Sequence, residues 1–117
     1  MNKAELEQRT KRFSLNLIRF LQSLPKNYLG EAMGKQLLKS GTSIGANYRE
    51  ANRAESKADF IHKLAIAEKE ASETVYWLEL KTEAGIGNRQ EVTTLLLEAR
   101  EILAIFTAAG RTSKGLR

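Results

Sequence analysis

Asp59 and His62 stand three residues apart, which puts a carboxylate and an imidazole on neighbouring turns of any helix that carries them. Such a pair could begin a metal site, but it supplies only two ligands. A di-metal bundle draws several inward carboxylates and two Glu-x-x-His units from facing helices. His62 is the one histidine in the chain, so Asp59 and His62 read as a surface pair and no metal or cofactor is expected. A serine, His62 and Asp59 could be assembled on paper into a triad. No nucleophile elbow or oxyanion-hole glycine turn accompanies them, however. The absence of cysteine removes thiolate nucleophiles, thiolate metal sites and disulfides. There is no Walker loop or dinucleotide fingerprint, because the central glycines fall inside a helical pattern instead of following a strand. The expected class is not an enzyme.

The groups that cluster are cations. Lys35, Lys39, Thr42, Ala46, Arg49 and Arg53 alternate at spacings of four and three, a basic line about 27 Å long on one helix face. Upstream, Arg9, Arg12 and Arg19 form a second line. If the two helices lie side by side, the lines could merge into one surface that contacts phosphates whatever the base sequence. The alternative for each position is an ordinary solvated face. Aromatic stacking groups are scarce, which disfavours sequence-specific reading of single-stranded RNA.

The elements that must position these cations are helices. A single proline among 117 residues, with eight glycines set mostly at breaks, argues for an all-α protein. The first helix is expected over residues 3–24, with Leu6, Phe13, Leu17, Phe20 and Leu24 on one face and Pro25 ending it. The second spans about 31–53, burying Met33, Leu37, Ile44, Tyr48 and Ala51. Its Gly34, Gly41 and Gly45 share a stripe although each costs about 0.5–1 kcal/mol relative to alanine, which points to close approach by a neighbouring helix. Ser56 to Asp59 is a capping-box variant that opens the third helix, expected to run to residue 83 with Phe60, Leu64, Ala67, Ala71, Val75 and Leu78 inward. Asn88 to Glu91 caps a fourth, which keeps its apolar rhythm from Val92 to Ala109. Short connections then give an up-down-up-down antiparallel four-helix bundle over residues 1–109, followed by a basic flexible tail at 110–117.

The third helix is apolar on two sides. Ile66, Trp77 and Leu80 leave the main stripe, and Trp77 between glutamates has the character of an anchor at a subunit contact, so self-association is expected. Net charge is +5, distributed unevenly: residues 1–53 carry ten Lys/Arg against four Glu, whereas 54–109 carry six against ten acids. This asymmetry fits a polyanion-binding face or basic helices meeting acidic ones across a contact. The charged N-terminal segment and short apolar runs argue for a cytoplasmic protein without a membrane span.

Two segments, SGTSIGANYREA at residues 40–51 and ESKADFIHKLAIAEKEASETVYWLEL at 55–80, resemble the bacterial four helix bundle proteins encoded in intervening sequences of large-subunit ribosomal RNA genes, often labelled ribosomal-protein-like. Ser43, Ile44, Asn47 and Glu50 match the family's Ser-Ile, Asn and Glu positions, and Asp59 and Phe60 its acidic-Phe pair. Tyr48 stands where the family commonly has isoleucine. The resemblance covers nearly the whole chain. It implies a ring-like homopentamer and a relationship to accessory proteins of diversity-generating retroelements, which bind nucleic acid and a reverse transcriptase. The expected function is thus a non-enzymatic, oligomeric nucleic-acid-binding protein, RNA-associated or a retroelement accessory. Arg12, Arg19, Lys35, Lys39, Arg49 and Arg53 are its expected phosphate contacts; Asn47 and Glu50 either serve a site or form a buried polar contact, and the buried contact is the favoured expectation. The alternative is a protein-interaction scaffold whose basic side docks an acidic partner or a neighbouring subunit.

Overall fold

The computed structural model describes residues 1–115; Leu116 and Arg117, the end of the expected tail, lie outside the described residues. Four helices account for nearly all of it, with no strand among the described residues: α1 (Lys3–Gln22), α2 (Tyr28–Ala51), α3 (Lys57–Ala84) and α4 (Arg89–Ser113). Each opens on a polar cap. Asn2, Asn27, Ser56 and Asn88 accept the amide three residues on, at 2.8, 2.8, 3.0 and 3.0 Å. At α1 the Glu5 carboxylate reaches back to the Asn2 amide at 3.3 Å, completing the capping box.

Boundaries shift where local chemistry is stronger than the apolar rhythm. The end of α1 comes at Gln22 because the Ser23 hydroxyl donates to the Phe20 carbonyl at 2.6 Å and Pro25 follows. Three residues are gained at the start of α2, because Asn27 caps ahead of the expected Glu31. Its last helical residue is Ala51, so Arg53 sits in the turn beyond. Gly85 at φ 70° closes α3, and the Ile86 amide returns to the Lys81 carbonyl at 2.9 Å. The fourth helix passes Ala109 and continues to Ser113, so the segment expected as tail begins as helix.

Contacts join α1 to α2, α2 to α3, α3 to α4 and α4 to α1, without diagonal pairs. With connections of only four or five residues, neighbours run antiparallel around one core. Every apolar position expected inward on the four stripes is buried, apart from Leu24, Met33, Phe60 and Ala109, which are half-buried near helix ends. The glycine stripe faces α1: a methyl at Gly34 would meet Leu21, at Gly41 Leu17 and Phe13, and at Gly45 Thr10. Ser14 uses that proximity to donate to the Gly41 carbonyl at 3.3 Å. Four polar side chains are buried: Thr10, Ser40, Thr74 and Lys81. Thr74 and Ser40 share a hydrogen bond of 3.0 Å between α3 and α2. Lys81 makes none.

Candidate nucleic-acid interface

The side of α2 opposite Leu37, Ile44 and Ala51 faces water, and it carries the longer basic line. Lys35, Lys39, Arg49 and Arg53 are all exposed, and Lys35 and Lys39 form no ion pair with a described residue. Arg49 reaches Glu7 of α1 only at 3.7 Å, and Arg53 donates to the Arg49 carbonyl at 3.2 Å. The Asn52 amide donates to the other oxygen of Glu7 at 2.8 Å and so does not displace Arg49. Lys35, Lys39 and Arg53 have no carboxylate partner among the described residues, and Arg49 has one long contact.

The first helix does not extend this surface in the expected way. Lys11 is the α1 cation that borders α2, lining a cavity of about 250 Å³ with Ser14, Thr42, Ala46 and Arg49. Its flank was legible in the sequence, since Glu7, Lys11, Ser14 and Ile18 share a four-three-four spacing, but which neighbouring helix that flank borders was not. Arg12 and Arg19 lie on the other flank, along the groove between α1 and α4, among Glu91, Glu98 and Glu101. The two basic lines do not merge. Arg9 is committed to structure: its guanidinium takes both Glu98 oxygens at 2.7 Å and Glu101 at 3.2 Å. The hydrogen bond from Arg9, opposed by burial, holds the Glu98 carboxyl below its usual range, and the nearby charges of Arg9 and Arg12 add to this.

Ile66, Trp77 and Leu80 lie together on the outer side of α3, each half-buried within the chain itself. Trp77 leans on the bundle's own core and donates its indole N–H to Glu73 at 3.3 Å. Its neighbour Tyr76, which the apolar pattern did not single out, is 53% exposed and meets Trp77 edge to face at 5.3 Å. Asn47 and Glu50 do not form the expected buried polar contact. Asn47 donates to the Ser43 carbonyl of its own helix at 2.8 Å, and Glu50 is an exposed partner of Lys63 at 3.5 Å.

Asp59 accepts the Glu55 amide at 3.4 Å, His62 is exposed, and no three metal-ligating groups converge among the described residues. Tyr48 fills a core position edge to face with Phe106 at 5.2 Å, and burial raises its phenol above the usual range. No described helix is long and apolar enough to cross a membrane.

A protein of unknown function from the S23 ribosomal protein family of Bacteroides thetaiotaomicron, solved by crystallography, has the same architecture at a TM-score of 0.80 and 38% identity, with 91% of this chain and 98% of that one covered. No curated protein matches the chain. The family model described as 23S rRNA-intervening sequence protein matches residues 2–108, nearly the whole bundle. On that match the chain belongs to the 23S rRNA-intervening sequence protein family.

Proposed function

We propose that this chain is a non-enzymatic, oligomeric nucleic-acid-binding protein, RNA-associated or an accessory of a retroelement, which holds phosphates along the outer face of α2. The observation that carries the reading is the exposure of Lys35, Lys39, Arg49 and Arg53 on one face, where among the described residues Arg49 alone meets a carboxylate, at 3.7 Å. Point charges on flexible stems suit backbone phosphates and carry no base preference. Lys11 widens the face toward α1. Arg12 and Arg19 support it less well, since Glu91, Glu98 and Glu101 share their groove and would repel a polyanion.

Assembly strengthens the same reading. A homopentamer at +5 per chain would carry +25, a field that gathers RNA or DNA at low salt. A relationship to retroelement accessory proteins, which the family resemblance implies, would make a reverse transcriptase its protein partner.

The test is a filter-binding titration against an RNA hairpin and a DNA duplex at several salt concentrations, comparing the wild type with the variant carrying Lys35→Ala, Lys39→Ala, Arg49→Ala and Arg53→Ala. Four lost phosphate contacts reduce the slope of log affinity against log salt by about 3–4 on the duplex while the helical circular dichroism is retained. Unchanged affinity in the quadruple variant removes α2 from the interface.

A further inference from the structure

The α1–α4 seam is the sparsest of the four helix contacts, and it opens into two adjoining cavities of about 550 and 360 Å³. Its floor is apolar, made by the core side chains Phe13, Phe20 and Leu95, and Leu97 stands at its edge 56% exposed. The two rims have opposite charge. On the α1 side are Arg12 and Arg19; on the α4 side are Glu91, Glu98 and Glu101.

Arg9 pins one end of the seam, pairing with Glu98 at 2.7 Å and with Glu101 at 3.2 Å. Beyond it the charges do not close: Arg12 and Glu91 form no ion pair with a described residue, and Arg19 donates only to Asn16 of its own helix at 3.3 Å. These unpaired groups face an open trough and are available to a third element. Its length runs from Arg12 to Phe20 on α1, about 12 Å, and from Asn88 to Glu101 on α4, about 20 Å, or roughly two to four helical turns.

We propose that this groove docks an amphipathic helix of a partner protein. The helix lays an apolar row on Phe13, Phe20, Leu95 and Leu97, with an acidic flank beside Arg12 and Arg19 and a basic flank beside Glu91 and Glu101. Charge complementarity selects this occupant. A nucleic acid would meet Glu91 unpaired, with Glu98 and Glu101 offset only by their shared Arg9, and a helix of one sign would be attracted by one rim and repelled by the other. The inference goes beyond the nucleic-acid reading and rests on different residues.

The probes are three fluorescein-labelled ~18-residue helical peptides with the same leucine stripe. One has an acidic and a basic flank, one has two acidic flanks and one has two basic flanks. Anisotropy titration against the full chain is expected to favour the mixed-flank peptide by about tenfold over both others. Thr94→Arg, placed on an exposed groove position, should abolish that binding with the melting temperature preserved. Arg12→Glu with Arg19→Glu makes both rims acidic and should transfer the preference to the peptide with two basic flanks.

No binding at millimolar peptide, or a preference unmoved by the double charge reversal, overturns the proposal. So does a drop in assembly mass for Thr94→Arg, which would make the groove a subunit seam. The double reversal also lowers the chain from +5 to +1, two charges per residue, and weakens RNA binding through the net field alone, so phosphate binding is read on the α2 quadruple variant and not on this one. Conversely, failure of the α2 quadruple variant to affect RNA leaves the peptide result standing.

Discussion

Lys81 is fully buried near the end of α3, and its ammonium has no hydrogen-bond partner; the Phe20 ring, 5.8 Å from Nζ to centroid, is its one favourable neighbour. Burial lowers its pKa from the ordinary lysine value. In the unfolded chain the amine stays protonated up to that ordinary value, so unfolding takes up a proton between the two pKa values and stability rises with pH across that window. Lys81→Met should therefore stabilise the neutral-pH protein by roughly 1–3 kcal/mol, as expected for relieving an unsatisfied buried group, and should abolish the alkaline rise in urea midpoint. A destabilised variant would mean that the amine has a structural partner. Glu98 has the opposite sign. Held below its usual range chiefly by the Arg9 hydrogen bond, it stabilises the fold at neutral pH, and that contribution disappears as acid protonates it below the ordinary carboxylate value. Glu98→Gln should cost up to about 1 kcal/mol at pH 7 and progressively less as the pH falls below the ordinary carboxylate value, measured by denaturant melts across the acid range. Lys81 could have been suspected from sequence, because it lies three residues beyond Leu78 on the buried register. The apolar pattern did not single it out, because lysines are almost never fully buried.

The α1–α2 pair turns on its glycines, and these are not equivalent. A methyl at Gly34 would rest 3.7 Å from Leu21 Cδ2, ordinary contact, so Gly34→Ala should gain about 0.5–1 kcal/mol from helix propensity. At Gly41 the same methyl would overlap Leu17, which is fully buried and has nowhere to move, so Gly41→Ala should lose about 1–3 kcal/mol. Thermal melts of the two single variants give opposite shifts if the glycine stripe exists to bring α1 close; equal shifts would assign it to another cause. That stripe was legible because three glycines inside one helix need a compensating contact. The caps at Ser56 and Asn88 were legible because a hydroxyl or amide three residues before a carboxylate has a defined geometry. The position of Arg12 and Arg19 was not legible. Periodicity places them on a common flank of α1, but whether that flank borders α2 or α4 is decided by how the four helices close, to which all of the core residues contribute. Lys11, one residue from Arg12, falls on the opposite flank for the same reason. Asn47 and Glu50 failed similarly: each lies on the edge of α2 facing α3, where a polar group ends half-exposed rather than enclosed.

A bundle of 44 × 24 × 21 Å with one cationic side offers a nucleic acid only a few phosphates, and an isolated patch of that size binds weakly at physiological salt. Affinity of biological use then requires several copies presented together, so the proposed function and the proposed assembly are physically coupled. The assembly contact is proposed on the outer side of α3, where Tyr76 adjoins Trp77 and Leu80 beside Glu73. Trp77 is a poor position for testing it, because the indole also supports the core and its loss would perturb both. Tyr76 is the cleaner choice: more than half exposed, it can become arginine without a cavity or a buried charge in the monomer. Sedimentation of the wild type should give about five times the 13.1 kDa chain mass, and Tyr76→Arg should return the single chain with its melting transition intact. RNA affinity should fall in that variant by about 10²-fold or more even though every cation on α2 remains, since only the linkage between copies has been removed. A wild type that sediments as one chain defeats the ring. An assembled Tyr76→Arg moves the contact away from this side of α3, and a monomeric variant that binds RNA as tightly as the wild type would confine the function to a single α2 face.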